Sequence, residues 1–133
     1  MIEKLIRDIE YELRAQPYDL ANNHPTNKTI SDLIINSFND KLMLVIVHFY
    51  KRPGFLANII SSMRDAKSHI IAIHYFLIKD LLKHTDLQVR DSCVTLLEHW
   101  DTSESRKVLQ DHLPFESTPW LVEYIEKVLH AEN

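Results

Sequence analysis

Residues 70–100 read IIAIHYFLIKDLLKHTDLQVRDSCVTLLEHW, and the spacing of their apolar positions decides the fold class. In the second half Val89, Cys93, Leu96, Leu97 and Trp100 recur at i, i+4, i+7, i+8 and i+11, while Gln88, Asp91, Thr95 and Glu98 share the opposite side. That period is one apolar stripe of an amphipathic helix. Asp86 stands where a cap belongs, since its carboxylate can accept the first unpaired amides. The first half is apolar almost all round from Ile70 to Ile78, which predicts a helix sandwiched between neighbours, with Lys79, Asp80 and Lys83 emerging near its end.

Working outward, the same period recurs. Ile2, Leu5, Ile6, Ile9 and Leu13 mark a first helix that ends before Pro17. Residues 16–28 are polar, with Pro17, Pro25, Asn22, Asn23 and Asn27, and read as the longest connection. Thr29 is placed to cap a second helix that buries Ile30, Leu33, Ile34 and Phe38, and Asn39-Asp40 reads as its stop. The run LMLVIVHFY at 42–50 suits a buried strand or a buried helix; it reads as a helix because no neighbouring segment offers a strand to pair with.

Pro53-Gly54 breaks the chain before a helix carried by Phe55, Leu56, Ile59, Ile60 and Met63, and Ser68 is placed to cap the helix of 69–84. Asp101 with Glu104 reads as the start of a helix that buries Val108, Leu109 and Leu113 and stops at Pro114. Thr118-Pro119 opens the last, on Leu121, Ile125, Val128 and Leu129.

The expectation is therefore an all-α chain of about eight helices forming one domain over 1–133. Residues 1–40 hold the N-terminal helices and loop, and 41–131 hold three antiparallel pairs: 41–51 with 54–66, 69–84 with 86–100, and 102–113 with 118–131. A spacing of about 30 residues between pairs is that of a helical solenoid.

Composition excludes several function classes. Gly54 is the single glycine, whereas phosphate-cradling loops and dinucleotide fingerprints need several at fixed offsets. Cys93 is the single cysteine, so no internal disulfide forms, and Glu3 and Asp8 interrupt the apolar positions that a secretory signal needs. A reducing cytoplasm is the expected setting. The longest apolar run falls far short of the roughly 20 residues of a membrane span.

None of the eight histidines lies four residues from another, so no metal site or other cofactor is expected, although a pair brought together by the fold, such as His84 with His99, stays open. Cys93 lies on an apolar stripe and reads as an inert core thiol, not a nucleophile. Trp100 and Trp120 flank helix ends, either to seal helix interfaces or, if exposed, to anchor a partner.

Charge is unevenly spread. Residues 1–40 carry four Lys/Arg against seven Asp/Glu, 41–85 seven against two, and 86–133 four against ten, giving nets of −3, +5 and −6. An acidic C-terminal third steers toward basic partners.

The segment LLKHTDLQVRDSCVTLLEHW resembles a HEAT or armadillo-type helical repeat through Asp86, Val89, Arg90, the small Cys93 and Leu97, over residues 77–100. The resemblance implies a right-handed α-solenoid, with Asp86 and Arg90 looking inward to hydrogen-bond the turns of adjacent repeats. It also implies a protein-binding surface on the second helix of each pair: Asn58, Ser61 and Asp65, then Asp91, Thr95 and Glu98, then Glu123 and Glu126.

The partner-binding residues expected from this are Asp91, Thr95, Glu98, Glu123 and Glu126. The expected role is a non-catalytic protein-protein interaction module, in a narrower form an immunity protein or antitoxin that masks a basic toxin such as a nuclease. Two alternatives stand beside it. Lys41, Lys51, Arg52, Arg64, Lys67, Lys79 and Lys83 could contact nucleic-acid phosphates, against which stand their spread over four helices and a pI near 6.0. The other is a structural subunit of a larger assembly.

Overall fold

In a computed structural model the described residues are 2–17 and 24–131, and they form eight α-helices, two 3-10 segments and no strand. The helices are α1 (Ile2–Ala15), α2 (Pro25–Ile35), α3 (Asn39–Phe49), α4 (Pro53–Ser61), α5 (Ala72–Leu81), α6 (Leu87–Trp100), α7 (Ser103–His112) and α8 (Pro119–His130). The 3-10 segments are Ser62–His69 and Leu113–Phe115. The chain divides into two compact units, 1–70 and 71–133. No helix among the described residues is long and apolar enough to cross a membrane.

In the first unit α1 packs on α2, α3 and α4 through a core that includes Ile9, Leu13, Ile30, Val45 and Phe49. Glu12 of α1 accepts hydrogen bonds from Thr26 and Thr29 of α2 at 3.0 and 3.2 Å. Thr29 therefore ties α2 to α1 and does not cap it. The helix begins four residues earlier, where the His24 ring accepts the Thr26 amide at 3.1 Å and Pro25 occupies the first turn, whose amides need no helical partner. Asn27, read as a loop residue, is buried in α2, whereas Asn22 and Asn23 lie outside the described residues.

Asn39-Asp40 is likewise not a stop: α3 begins there. The stop is Ser37, at φ 61°, with the Phe38 amide donating back to the Leu33 carbonyl at 2.7 Å, a Schellman closure built without glycine. LMLVIVHFY is helical as expected but only half buried, since Leu42, Val45, Ile46 and Phe49 face the core while Met43, Leu44 and Val47 are exposed. The helix that begins at Pro53 turns into the 3-10 segment after Ser61 and never reaches Asp65 as an α-helix. That segment packs along α2 and buries Ser62, Met63 and Ala66.

In the second unit the stripe on α6 is as expected, with Val89, Cys93, Leu96, Leu97 and Trp100 all buried. Asp86 accepts the Gln88 and Val89 amides at 2.9 and 3.2 Å. The preceding helix is shorter than 69–84. Ser68 lies in the 3-10 segment, and α5 starts after Ile71, whose amide donates to the His74 ring at 3.0 Å. Nor is α5 sandwiched: His74, Leu77 and Ile78 face inward, while Ile71, Ile73 and Phe76 are exposed, Phe76 by 63%.

Asp101 ends α6 in a left-handed conformation (φ 51°) and leaves the capping of α7 to Thr102, which accepts the Ser105 amide at 3.0 Å. The Thr102 hydroxyl also pairs with that of Tyr75 at 2.8 Å, and the Tyr75 ring meets buried Trp100 edge-on at 5.3 Å. Trp120, by contrast, is half exposed.

Candidate functional site

Two places in the second unit gather polar side chains. The first is where α6 meets α8. Residues 91, 95 and 98 follow one another at i, i+4 and i+7, so the helix stacks Asp91, Thr95 and Glu98 on one side. Tyr124 of α8 joins them, donating its hydroxyl proton to Glu98 at 2.6 Å, with its oxygen 3.3 Å from the Thr95 hydroxyl. Burial, then the hydrogen bond to the Glu98 carboxylate, pushes the Tyr124 phenol up to about 12, with the charges of Glu98 and Asp91 adding to it. Partial burial raises the Asp91 carboxyl above its ordinary range.

Among the described residues no cation lies within ion-pair distance of Asp91, Glu98, Glu123 or Glu126. The expected docking residues are thus brought together in part: Asp91, Thr95 and Glu98 form one group, whereas Glu123 and Glu126 are exposed on α8 with no described bond to it. Tyr124 was not among the expected residues. Its signal is a tyrosine beside the Leu121/Ile125/Val128 stripe, where an apolar ring with a polar tip suits a helix boundary.

The second place is the Arg90 staple. Arg90 donates through Nη1 to the His84 and Thr85 carbonyls, both at 3.0 Å, so it closes the turn between α5 and α6. Through Nε and Nη2 it grips Glu116 in a two-toothed pair at 3.1 and 3.2 Å, and Nη2 also reaches the Thr118 hydroxyl at 3.2 Å. One side chain thus pins both turns. Glu116 has no exposed side-chain surface, and it also accepts from His112 Nε2 at 2.7 Å and from the Thr118 amide at 3.1 Å. Burial alone would raise its carboxyl, but the bonds from His112, Arg90 and Thr118 outweigh that and hold it below its ordinary value of 4.5. The resemblance led Asp86 and Arg90 both to be expected at neighbouring turns; Arg90 reaches two, while the described side-chain bonds of Asp86 stay within its own helix start.

A groove of roughly 930 Å³ opens beside the staple, with Leu82 and Phe115 on its apolar wall and Lys79, Lys83, His84 and His112 around it. His84 is tied to the start of α6, its Nδ1 accepting the Asp86 amide at 3.0 Å, while its suggested partner His99 is exposed. Among the described residues no three His, Cys, Asp or Glu side chains gather as a metal-binding group. Burial pushes the Cys93 thiol up, which keeps its nucleophilic thiolate form unpopulated.

Five of the seven basic residues of 41–85 have described partners within their own unit. Arg52 pairs with Glu10 and lies over the Phe55 ring, Arg64 pairs with Asp65, Lys79 with Asp111, Lys83 with Asp80, and Lys41 lies over Phe38. No protein-family model, curated protein or solved structure matches the chain.

Proposed function

We propose that this chain works by binding another protein through the acidic side of α6 and α8, as a non-catalytic module for a basic partner. The observation that carries the reading is the Asp91–Thr95–Glu98–Tyr124 group, which holds two carboxylates with no cation among the described residues within ion-pair distance. Glu123 and Glu126 extend the same sign of charge along α8.

A half-buried carboxylate such as Asp91 is destabilised as an anion, so a partner's Lys or Arg brought against it recovers energy that the free protein leaves unused. In its narrower form the role is that of an immunity protein or antitoxin covering the basic active site of a nuclease toxin, in a cytoplasmic setting. Occlusion needs complementary charge and shape and no reactive group. The structural counterpart of this proposal is a HEAT-like stack, supported by the way Arg90 ties the α5–α6 turn to the α7–α8 turn.

The test is affinity capture from the native cell with the wild-type chain and with a triple charge reversal, Asp91→Lys, Glu98→Lys and Glu123→Lys. The expected result is a basic protein held by the wild type at low salt, released at high salt, and bound at least about tenfold more weakly by the variant, with helicity by circular dichroism unchanged. Equal retention by both proteins dismisses this face.

A further inference from the structure

Beyond the acidic face, the groove beside the Arg90 staple has the opposite chemistry. Its volume of roughly 930 Å³ lies within the range of pockets that enclose small organic ligands. On its wall Phe115 is 81% exposed and makes no ring contact among the described residues. An aromatic ring held in the short Leu113–Phe115 segment and left open is a ready stacking surface.

Lys79 sits on the last turn of α5, and Lys83 lies four residues on, just past its end. Residues at that spacing project about 6 Å apart on one side of a helical turn. Both ammonium groups are loosely held: Lys79 is 3.6 Å from Asp111, which Lys107 also approaches at 3.5 Å, and Lys83 is 3.9 Å from Asp80.

The carbonyls of His84 and Thr85, which would repel an anion, are already covered by Arg90. The Arg90 charge is in turn balanced by buried Glu116, and Asp111, the carboxylate that lines the groove, is shared by two lysines. His112, also on the groove, is nine-tenths buried and fixed through Nε2 to Glu116.

We propose that this groove binds a small phosphate monoester with a flat apolar body. The phosphate is placed between Lys79 and Lys83, and the body lies on Phe115 and Leu82. Two neighbouring ammonium groups favour a phosphate monoester over a carboxylate, because the ester carries close to two negative charges at neutral pH. The proposal stands apart from the protein-docking face: the groove shares no residue with Asp91, Thr95, Glu98, Glu123 or Glu126.

The experiment is a heteronuclear NMR titration of the full chain with three probes: 1-naphthyl phosphate, inorganic phosphate and 1-naphthol. The naphthyl phosphate is expected to shift amides of residues 79–85 and 111–117 and to bind at least about tenfold more tightly than either fragment. The exposed double variant Lys79→Glu/Lys83→Glu should lose about tenfold or more in that affinity while keeping the wild-type spectrum elsewhere. Phe115→Ala should weaken naphthyl phosphate severalfold and leave inorganic phosphate unchanged. The proposal is overturned by any of three results: no shifts into the millimolar range, naphthol binding as tightly as its phosphate, or a double variant that binds as the wild type does. Protein capture by the α6/α8 face is unaffected by these variants, so each reading can fail alone.

Discussion

The two compact units are stabilised in different ways. In the unit of α1 to α4 the buried polar side chains, His24, Thr26, Asn27, Ser31 and Ser62, include no Asp, Glu, Lys or Arg, and described ion pairs such as Lys4–Asp8 and Lys28–Asp32 lie on the surface. Such exposed pairs contribute about 0 to 1 kcal/mol each. In the unit of α5 to α8 an apolar stripe around Trp100 shares the work with a buried charged staple, Arg90–Glu116–His112, that fixes two turns at once. A nonpolar core tolerates loss of one contact by partial collapse around it. A buried ion pair does not, because removing one partner strands the other charge away from water.

That contrast can be broken most sharply at Glu116. Glu116→Ala is expected to destabilise the chain by about 4 kcal/mol, as it leaves Arg90 without its anion. Urea denaturation followed by circular dichroism measures this, and a loss below about 1 kcal/mol would mean that the staple is not integral to the fold. In the first unit the corresponding test is Phe49→Ala, which removes a fully buried ring and should cost about 3 kcal/mol through transfer and cavity effects.

Acid sharpens the comparison further. Because the Glu116 carboxyl titrates lower in the folded protein than its ordinary 4.5, its stabilisation is complete above 4.5 and is lost as pH falls through the folded value. His74 acts in the same direction at higher pH. Burial lowers it from 6.5, and its ring must stay neutral to accept the Ile71 amide, so stability declines as pH falls below 6.5. Amide exchange measured from neutral to acid pH should therefore show α5 and the α7–α8 turn losing protection before α1 to α3, and a Glu116→Gln variant should flatten the steeper, more acidic part of the decline.

The smallest expected effect lies at the α2–α3 turn. Ser37 holds a left-handed conformation that costs a non-glycine residue about 1 kcal/mol. Ser37→Gly removes that cost but admits a more flexible unfolded chain, so a net gain of about 0.5 kcal/mol is expected in the same denaturation experiment.

Helical periodicity made the all-α class, the α6 stripe from Val89 to Trp100, the Asp86 cap and the Pro119 start legible without coordinates, because each depends on residues within a few positions of one another. Helix ends elsewhere were less legible. Thr29, Ser68 and Asp101 had the right chemistry to cap, but His24, the Ile71–His74 pair and Thr102 took those roles. Any of several neighbouring polar residues can satisfy the same orphan amides, and packing chooses among them. The candidate docking group was half legible: i, i+4, i+7 spacing stacks Asp91, Thr95 and Glu98, while the Tyr124 bridge depends on where α8 lies.

What the amino-acid order determined alone is therefore the local part: which segments coil into helices, which side of α6 is apolar, and that the C-terminal third is acidic. What only the tertiary structure decided is nonlocal: that Arg90 meets Glu116 26 residues away, that α5 and α3 leave one side open, and that Phe115 and the two lysines border one groove. The physical reason is that a helix period is set by backbone geometry within one or two turns, whereas burial of a charge or exposure of a ring depends on which other elements pack there.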